Sequence, residues 1–397
     1  MIKTAANKRF GVMRGVCSRK VLREFESLSP VRAFVFPPTE RQAANRWGAF
    51  GEVRTNEITY KLEIIMDNMK KYIELYKQKR EDCFKKWGYY YPPIDWNEFE
   101  AWNNKTCQKH LNETEWKSEV IKTKVYVDLL DNDKEFGFFM AFQNNDFELL
   151  NNVLYQTSRQ KLLDRSMTAS GTDLANVLMN ALSAFSCNDF DIIKYFFPKE
   201  LPLSKGKFYT EVSVNLLKVL YYKDNSLLEE SLQKAQKFLS KKITQWEKLI
   251  VLYFLSLINR DIEQVNNCLH ELCSAYQKME HSVDTFYNKL AKCFAKEIHG
   301  LYRFAKLIDK DLFLQIQLPK HDCFFEEFET WQKENDYPKG KIFYKYPTEM
   351  DYMNKILEAE LPTIMLRAAK NGTRTEFYKD EEKFAFDLTE NVKKRIE

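Results

Sequence analysis

Five histidines, eight cysteines and a few adjacent carboxylates are the residues of this 397-residue chain whose types suit catalysis or metal binding. The histidines are His110, His270, His281, His299 and His321. His270 and Cys273 lie three apart, on one face of a helix, with Cys268 close by, which is half of what a zinc site needs. No second half is visible. The cysteines (Cys17, Cys83, Cys107, Cys187, Cys268, Cys273, Cys293 and Cys323) form no CxxC pair and no dense framework, and read as reduced core residues of a cytoplasmic protein. Glu229 with Glu230, and Glu326 with Glu327, are adjacent, so they point to different sides of a helix and read as solvated surface. The Ser/Thr/Gly cluster "SMTASGTDLAN", residues 166–176, reads as a linker in which Thr172 or Asp173 caps the next helix. Walker, dinucleotide-binding, HExxH, GxSxG and kinase signatures are absent. These residues predict a protein without catalytic, cofactor-binding or metal-ligating sites.

The elements that would position such residues come from a repeated phrase. Asp146 is followed by Leu149, Leu150 and Leu154, and Asp189 by Ile192, Ile193 and Phe197. Asp224 is followed by Leu227, Leu228 and Leu232, and Asp261 by Val265 and Leu269. Offsets of three, four and eight mark one face of an α-helix, and an aspartate at its head is the expected N-cap. A strongly apolar helical stretch runs almost directly into each aspartate, so each phrase predicts an antiparallel helical hairpin. Intervals of 43, 35 and 37 residues separate the four aspartates. One hairpin cannot bury both faces, so the expected fold is all-α: stacked helical hairpins in an irregular α-solenoid, with a degenerate fifth unit at 283–313.

Composition divides the chain further. Residues 1–56 hold eleven Lys and Arg against four Asp and Glu, and eight of the eleven are Arg, whereas the remainder uses mainly Lys. A nucleic-acid arm, a targeting peptide and residues extraneous to the folded protein are the readings open to such a segment. The third is preferred, with the true start near Met66 or Met69, because runs such as "FVFPPTERQAANRWGAFGEVRTN" show neither the helical nor the strand period, and "SPVRAFVFPP" breaks the amphipathic helix a targeting peptide needs. Residues 57–130 read as N-terminal helices and an aromatic-rich cap. Residues 57–86 form a long charged helix stopped by Gly88 and the Pro92-Pro93 pair, and 87–116 pack four Trp and three Tyr into thirty positions. That density suits either a packing plug, the preferred role, or a binding surface. Residues 131–370 are the helical-repeat domain, with turns at Pro338 to Gly340 and at Pro347 and a last helix ending before Pro362; 371–397 are a charged, peripheral tail. The longest apolar run, 249–258, is about half the ~20 residues of a membrane span. No membrane and no nucleic-acid partner is expected.

The order of elements carries a resemblance. An apolar helix, an "NDFD" cap and "KGKFYTEVSVNLLKVLYYKD" are followed by "SLINRDIEQVNNCLHELCSAYQKM", "FYNKLAKCFAKEIHGL" and "LQIQLPKH". Over roughly residues 135–325 this resembles the immunity protein 49 family of bacterial polymorphic toxin systems, all-helical proteins held to protect a cell from a toxin. The resemblance implies stoichiometric neutralisation of a cognate toxin protein by direct binding. It transfers no contact residue. The alternative is a tetratricopeptide-like scaffold or peptide-sensing regulator, against which the unequal intervals and the missing 34-residue signature count.

Overall fold

Helix stops and helix caps, repeated along the chain, explain most of the architecture. The computed structural model describes residues 68–111, 115–129, 133–167, 174–371 and 373–396, all within the unit Met66–Glu397. The basic segment 1–56, the first turns of the helix expected over 57–86, and Thr172 and Asp173 lie outside the described residues.

The described chain is mostly helical. It opens with α1 (Asn68–Trp87), α2 (Trp96–Leu111), α3 (Glu119–Leu129), α4 (Asp133–Asn144) and α5 (Phe147–Met167). Next come α6 (Leu178–Phe185), α7 (Ile192–Phe196), α8 (Tyr209–Tyr222), α9 (Leu228–Leu239), α10 (Gln245–Asn259) and α11 (Ile262–Lys278). Then follow α12 (Thr285–Ala291), α13 (Lys296–Ile308), α14 (Lys310–Phe313), α15 (Glu326–Glu334) and α16 (Asp351–Glu358). A hairpin of β1 (Leu366–Asn371) and β2 (Arg374–Lys379) and a final helix, α17 (Glu381–Lys393), close the chain. Among the described residues no helix is long and apolar enough to cross a membrane.

All four repeated phrases begin with a helix stop. Asn145, Asn188, Lys223 and Arg260, each just before the phrase's aspartate, take left-handed φ values of 52°, 60°, 51° and 55°. In three of the turns the aspartate N–H then reaches back to a carbonyl of the preceding helix: Asp146 to Ala141 at 2.8 Å, Asp189 to Ala184 at 3.1 Å and Asp261 to Ser256 at 2.9 Å. This closure satisfies carbonyls that the helix end leaves open. Three aspartates also cap the helix that follows. Asp146 Oδ1 accepts from Leu149 N at 2.8 Å, Asp224 Oδ1 from Ser226 N at 3.0 Å and Asp261 Oδ1 from Gln264 N at 3.0 Å. Helices α4 and α5, α8 and α9, and α10 and α11 therefore pack as neighbouring pairs, and α8 packs on α10.

Asp189 departs from the expectation. Its carboxylate caps nothing; it is buried and lies 2.6 Å from Lys339 Nζ. The second phrase also yields only the five-residue α7. In place of a long second helix, an extended strap, residues 337–346, covers this turn and runs along α5. Gly340 N donates to Cys187 O at 3.0 Å, and Asn151 Nδ2 on α5 donates to Pro338 O at 3.1 Å. Gln156 Oε1 accepts from Phe343 N and Tyr344 N, both at 3.0 Å. The polar face of α5 is thus buried because it supplies the partners that an extended backbone lacks.

Helix α13, in the segment expected as a fifth unit, lies against α6 from the second phrase. The two helices touch at Gly300, where a Cβ would fall 1.8 Å from Leu182 O, so only glycine permits the crossing. Tyr253 Oη of α10 also donates to Leu301 O at 2.5 Å, and Phe254 of α10 and Phe185 of α6 meet Phe304 at 5.7 and 5.6 Å between ring centres. Each such buried ring contributes about 1.5–3 kcal/mol.

The C-terminal segment corrects a second expectation. It is not a peripheral tail: β1 and β2 pair antiparallel with Leu366 opposite Lys379, and Asp380 Oδ1 caps α17 through Lys383 N at 3.1 Å. Phe384, Leu388 and Val392, four apart on one face of α17, are buried against α3, α5 and α16. The charged residues that dominate the composition occupy the opposite face.

Candidate partner-binding site

Helix α1 fixes the candidate site. Tyr72, Tyr76, Arg80 and Cys83, spaced four, four and three, form its buried face. Gly88, with φ +76° and its N–H on Phe84 O at 2.8 Å, stops the helix. The chain then turns through three consecutive tyrosines. Arg80 anchors the turn: Nη1 donates to Pro92 O at 3.0 Å, and the guanidinium grips Glu98 on α2 with bonds of 2.7 and 2.8 Å. Such a two-point bond orients both groups.

This turn sorts the aromatic-rich segment into two sets. Trp96 and Phe99 go inward, where Phe99 stacks on Phe136 at 4.3 Å and Trp96 on Tyr344 at 6.1 Å. Phe84, Tyr89 and Tyr90 stay outside, 43%, 39% and 48% exposed. They are ordered nonetheless. Phe84 stacks on Tyr90 at 4.4 Å, Trp87 on Tyr89 at 6.1 Å, and the Arg80 guanidinium lies 4.4 Å from the Tyr90 ring centre. Lys86 Nζ sits 4.6 Å from the Trp87 ring. The packing role is present in the second half of the segment, while the first half leaves its rings exposed.

Behind the tyrosine turn lies a cavity of about 430 Å³, between α1, α2, α12 and the start of α13. Tyr91 and Tyr287 meet across it with hydroxyls 3.3 Å apart. His281 faces it with Nε2 on Tyr276 O at 2.8 Å, and burial lowers its pKa.

The other ionisable groups are dispersed or sealed. His299 on α13 bonds Glu329 Oε1 through Nδ1 at 2.6 Å, and its Nε2 accepts from Phe325 N at 3.2 Å, which assigns the ring proton to Nδ1. Arg303 Nη2 lies 2.6 Å from Glu329 Oε2, and none of the three side chains is more than 3% exposed. Phe324 stacks on the His299 ring at 3.9 Å. This cluster stabilises the junction of α13 with α15 and has no opening for a substrate.

His321 Nδ1 lies 3.3 Å from Cys323 Sγ. The neighbouring Cys273 thiol and then His321 hold the Cys323 pKa below the ordinary thiol range. Cys323 is fully buried. His270 is exposed while Cys268 and Cys273 are buried, so the three residues of the half-site do not converge. The seven described cysteines are buried. Among the described residues no group of three His, Cys, Asp or Glu side chains is placed to hold a metal ion. Glu229, Glu230, Glu326 and Glu327 are exposed. The His110 side chain lies outside the described residues.

The exposed aromatic surface was half legible: its density is plain in the sequence, but its direction depends on the Gly88 stop and on partners as distant as Phe136 and Tyr344. The cavity carried no sequence signal, since its walls come from segments more than two hundred residues apart. Comparison of the chain with protein-family models, with curated proteins and with solved structures finds no match.

Proposed function

We propose that this chain is a non-catalytic binding protein that neutralises a partner protein by one-to-one association, the immunity role implied by the family it resembles. One observation carries the reading: two pre-stacked ring pairs flank the Gly88 turn, exposed Phe84 with Tyr90, which lies on the buried Arg80, and half-buried Trp87 with exposed Tyr89. Tyr, Trp and Arg are the residues enriched where binding energy concentrates, and rings already held in place lose little freedom on association. Helix α1 carries seven basic residues against three acidic ones, so the partner surface is acidic. In this reading the pairs α4/α5, α8/α9 and α10/α11 act as layers of an irregular stack that keeps the surface rigid.

The test is co-expression of the full chain with a toxin module encoded immediately beside it. Rescue of growth and one-to-one copurification are expected. The double substitution Phe84→Ala/Tyr90→Ala should weaken the complex by about tenfold or more, with an unchanged unfolding temperature. Absence of both rescue and copurification with every neighbouring toxin rejects the role.

A further inference from the structure

Cys273 on α11 and Cys323, in the segment between α14 and α15, lie fifty residues apart in sequence and meet in the fold. Cys323 Sγ is 3.9 Å from Cys273 O and 3.3 Å from His321 Nδ1, and the two thiols are themselves hydrogen-bonded. Cys323 N donates to the same Nδ1 at 3.4 Å. This nitrogen is therefore the acceptor of the neutral ring and can take the thiol proton.

These contacts single Cys323 out. Burial raises the pKa of Cys83, Cys187, Cys268 and Cys293, which keeps each as an inert thiol. At Cys323 the contacts with Cys273 and His321 outweigh burial and favour the thiolate, and the thiol raises the His321 pKa in return. A thiolate is the reactive form, and a second thiol in contact with it is placed to resolve its oxidation product. Access restricts the reagent. Cys323 is buried, with half-buried His321 and exposed Asp322 immediately before it, so the sulfur admits only a small oxidant.

We infer that Cys323 is an oxidation site for hydrogen peroxide, with His321 as its proton acceptor and Cys273 as the resolving thiol. His321 takes the Cys323 proton, and the thiolate attacks one peroxide oxygen. The S–O bond forms as the O–O bond breaks, so the sulfur is oxidised to a sulfenic acid and the peroxide is reduced. The departing hydroxide recovers the proton from His321 and leaves as water. The Cys273 sulfur then attacks the Cys323 sulfur, the S–O bond breaks, and the hydroxide leaves with the Cys273 proton as a second water. Two thiols and one peroxide thus give one disulfide and two waters. The new bond ties the segment between α14 and α15 to α11, where Gln317 N already donates to Asn266 Oδ1 at 2.9 Å. It is independent of the partner-binding role.

The experiment treats the full chain with hydrogen peroxide and maps its peptides by mass spectrometry without reduction. A disulfide from Cys273 to Cys323 is expected before the other buried cysteines are oxidised, and dithiothreitol should reverse it. The oxidised chain should unfold at a higher urea concentration than the reduced one, because the bond constrains the unfolded state. Cys273→Ser should stop the reaction at the Cys323 sulfenic acid, which dimedone captures. Cys323→Ser should abolish both dimedone capture and the disulfide at this pair. His321→Gln should slow the oxidation about tenfold or more and leave its product the same. Where a variant fails to fold, the disulfide map of the unsubstituted chain decides alone. Oxidation of another buried cysteine ahead of Cys323, an unchanged rate in His321→Gln, or a folded chain whose pair peroxide leaves untouched overturns the inference.

Discussion

The turns at Asp261 and Asp189 have the same backbone and opposite surroundings. In each, a left-handed residue ends a helix and the aspartate N–H closes back on a carbonyl five positions earlier. At Asp261 the side chain then faces water and caps α11. At Asp189 the strap lies on top, the carboxylate is 2% exposed, and Lys339 replaces the helix N–H as its partner. Burial raises the Asp189 pKa, whereas the hydrogen bond from Lys339 lowers that of the more exposed Asp191. Burial works against the charged form of Lys339 too, but its bonds to both aspartates push its pKa up. A helix stop is thus a reusable local device, and what the next acid does is decided by whatever packs over the turn.

The contrast can be broken most severely by lifting the strap. A Cβ at Gly340 would sit 2.5 Å from Tyr155 Cβ and 2.7 Å from the backbone oxygen of Asn151. Gly340→Ala should therefore cost about 2–3 kcal/mol in urea unfolding and make the chain cleavable by trypsin at Lys339 and Lys341. Unchanged stability and an uncut strap would show that the strap does not define the Asp189 turn.

Removing only the cation is the milder break. Lys339 is 42% exposed at its side chain, so Lys339→Ala should cost about 1–2 kcal/mol at pH 7, less than the loss of a fully buried pair. The pH dependence gives the sharper reading. Asp189 already holds its proton more tightly in the folded than in the unfolded chain, and loss of Lys339 removes the group that opposes this. Stability at this site therefore falls as pH rises above the ordinary carboxylate range and recovers as pH falls toward it. The difference between Lys339→Ala and the unsubstituted chain should shrink from pH 7 to pH 5. A constant difference would mean that Asp189 is not the group left unpaired.

These particulars also show what was legible in the sequence. The hairpins at Asp146, Asp224 and Asp261 were, because a cap and an apolar stripe at offsets of three, four and eight act within one or two helical turns. The fate of Asp189 was not, because Lys339 lies 150 residues further on. Nor was the burial of the polar face of α5, whose Asn151 and Gln156 look like surface until the strap's backbone arrives. The hairpin of β1 and β2 and the packed face of α17 were hidden by composition: charge dominates 371–397, yet Phe384, Leu388 and Val392 at spacing four behind Asp380 carry the same signal as the four phrases. The candidate surface showed itself as aromatic density, while the cavity could not be anticipated, since its lining residues on α1, α2, α12 and α13 come from distant parts of the chain.

The smallest effect separates the two turns most cleanly. At Asp261 the carboxylate serves as an acceptor for the Gln264 N–H, and an amide oxygen does that nearly as well. Asp261→Asn should be close to neutral, while Asp261→Ala should cost about 1 kcal/mol. At Asp189 the acceptor faces an ammonium group, so Asp189→Asn removes the charge that Lys339 answers, and an amide there should be no substitute. Urea midpoints of the four proteins, with Asp189→Ala as the fourth, test this. Asn should rescue at 261 and fail at 189. If Asn rescues equally at both positions, the buried acid is only a hydrogen-bond acceptor, and the two turns differ in exposure without differing in chemistry.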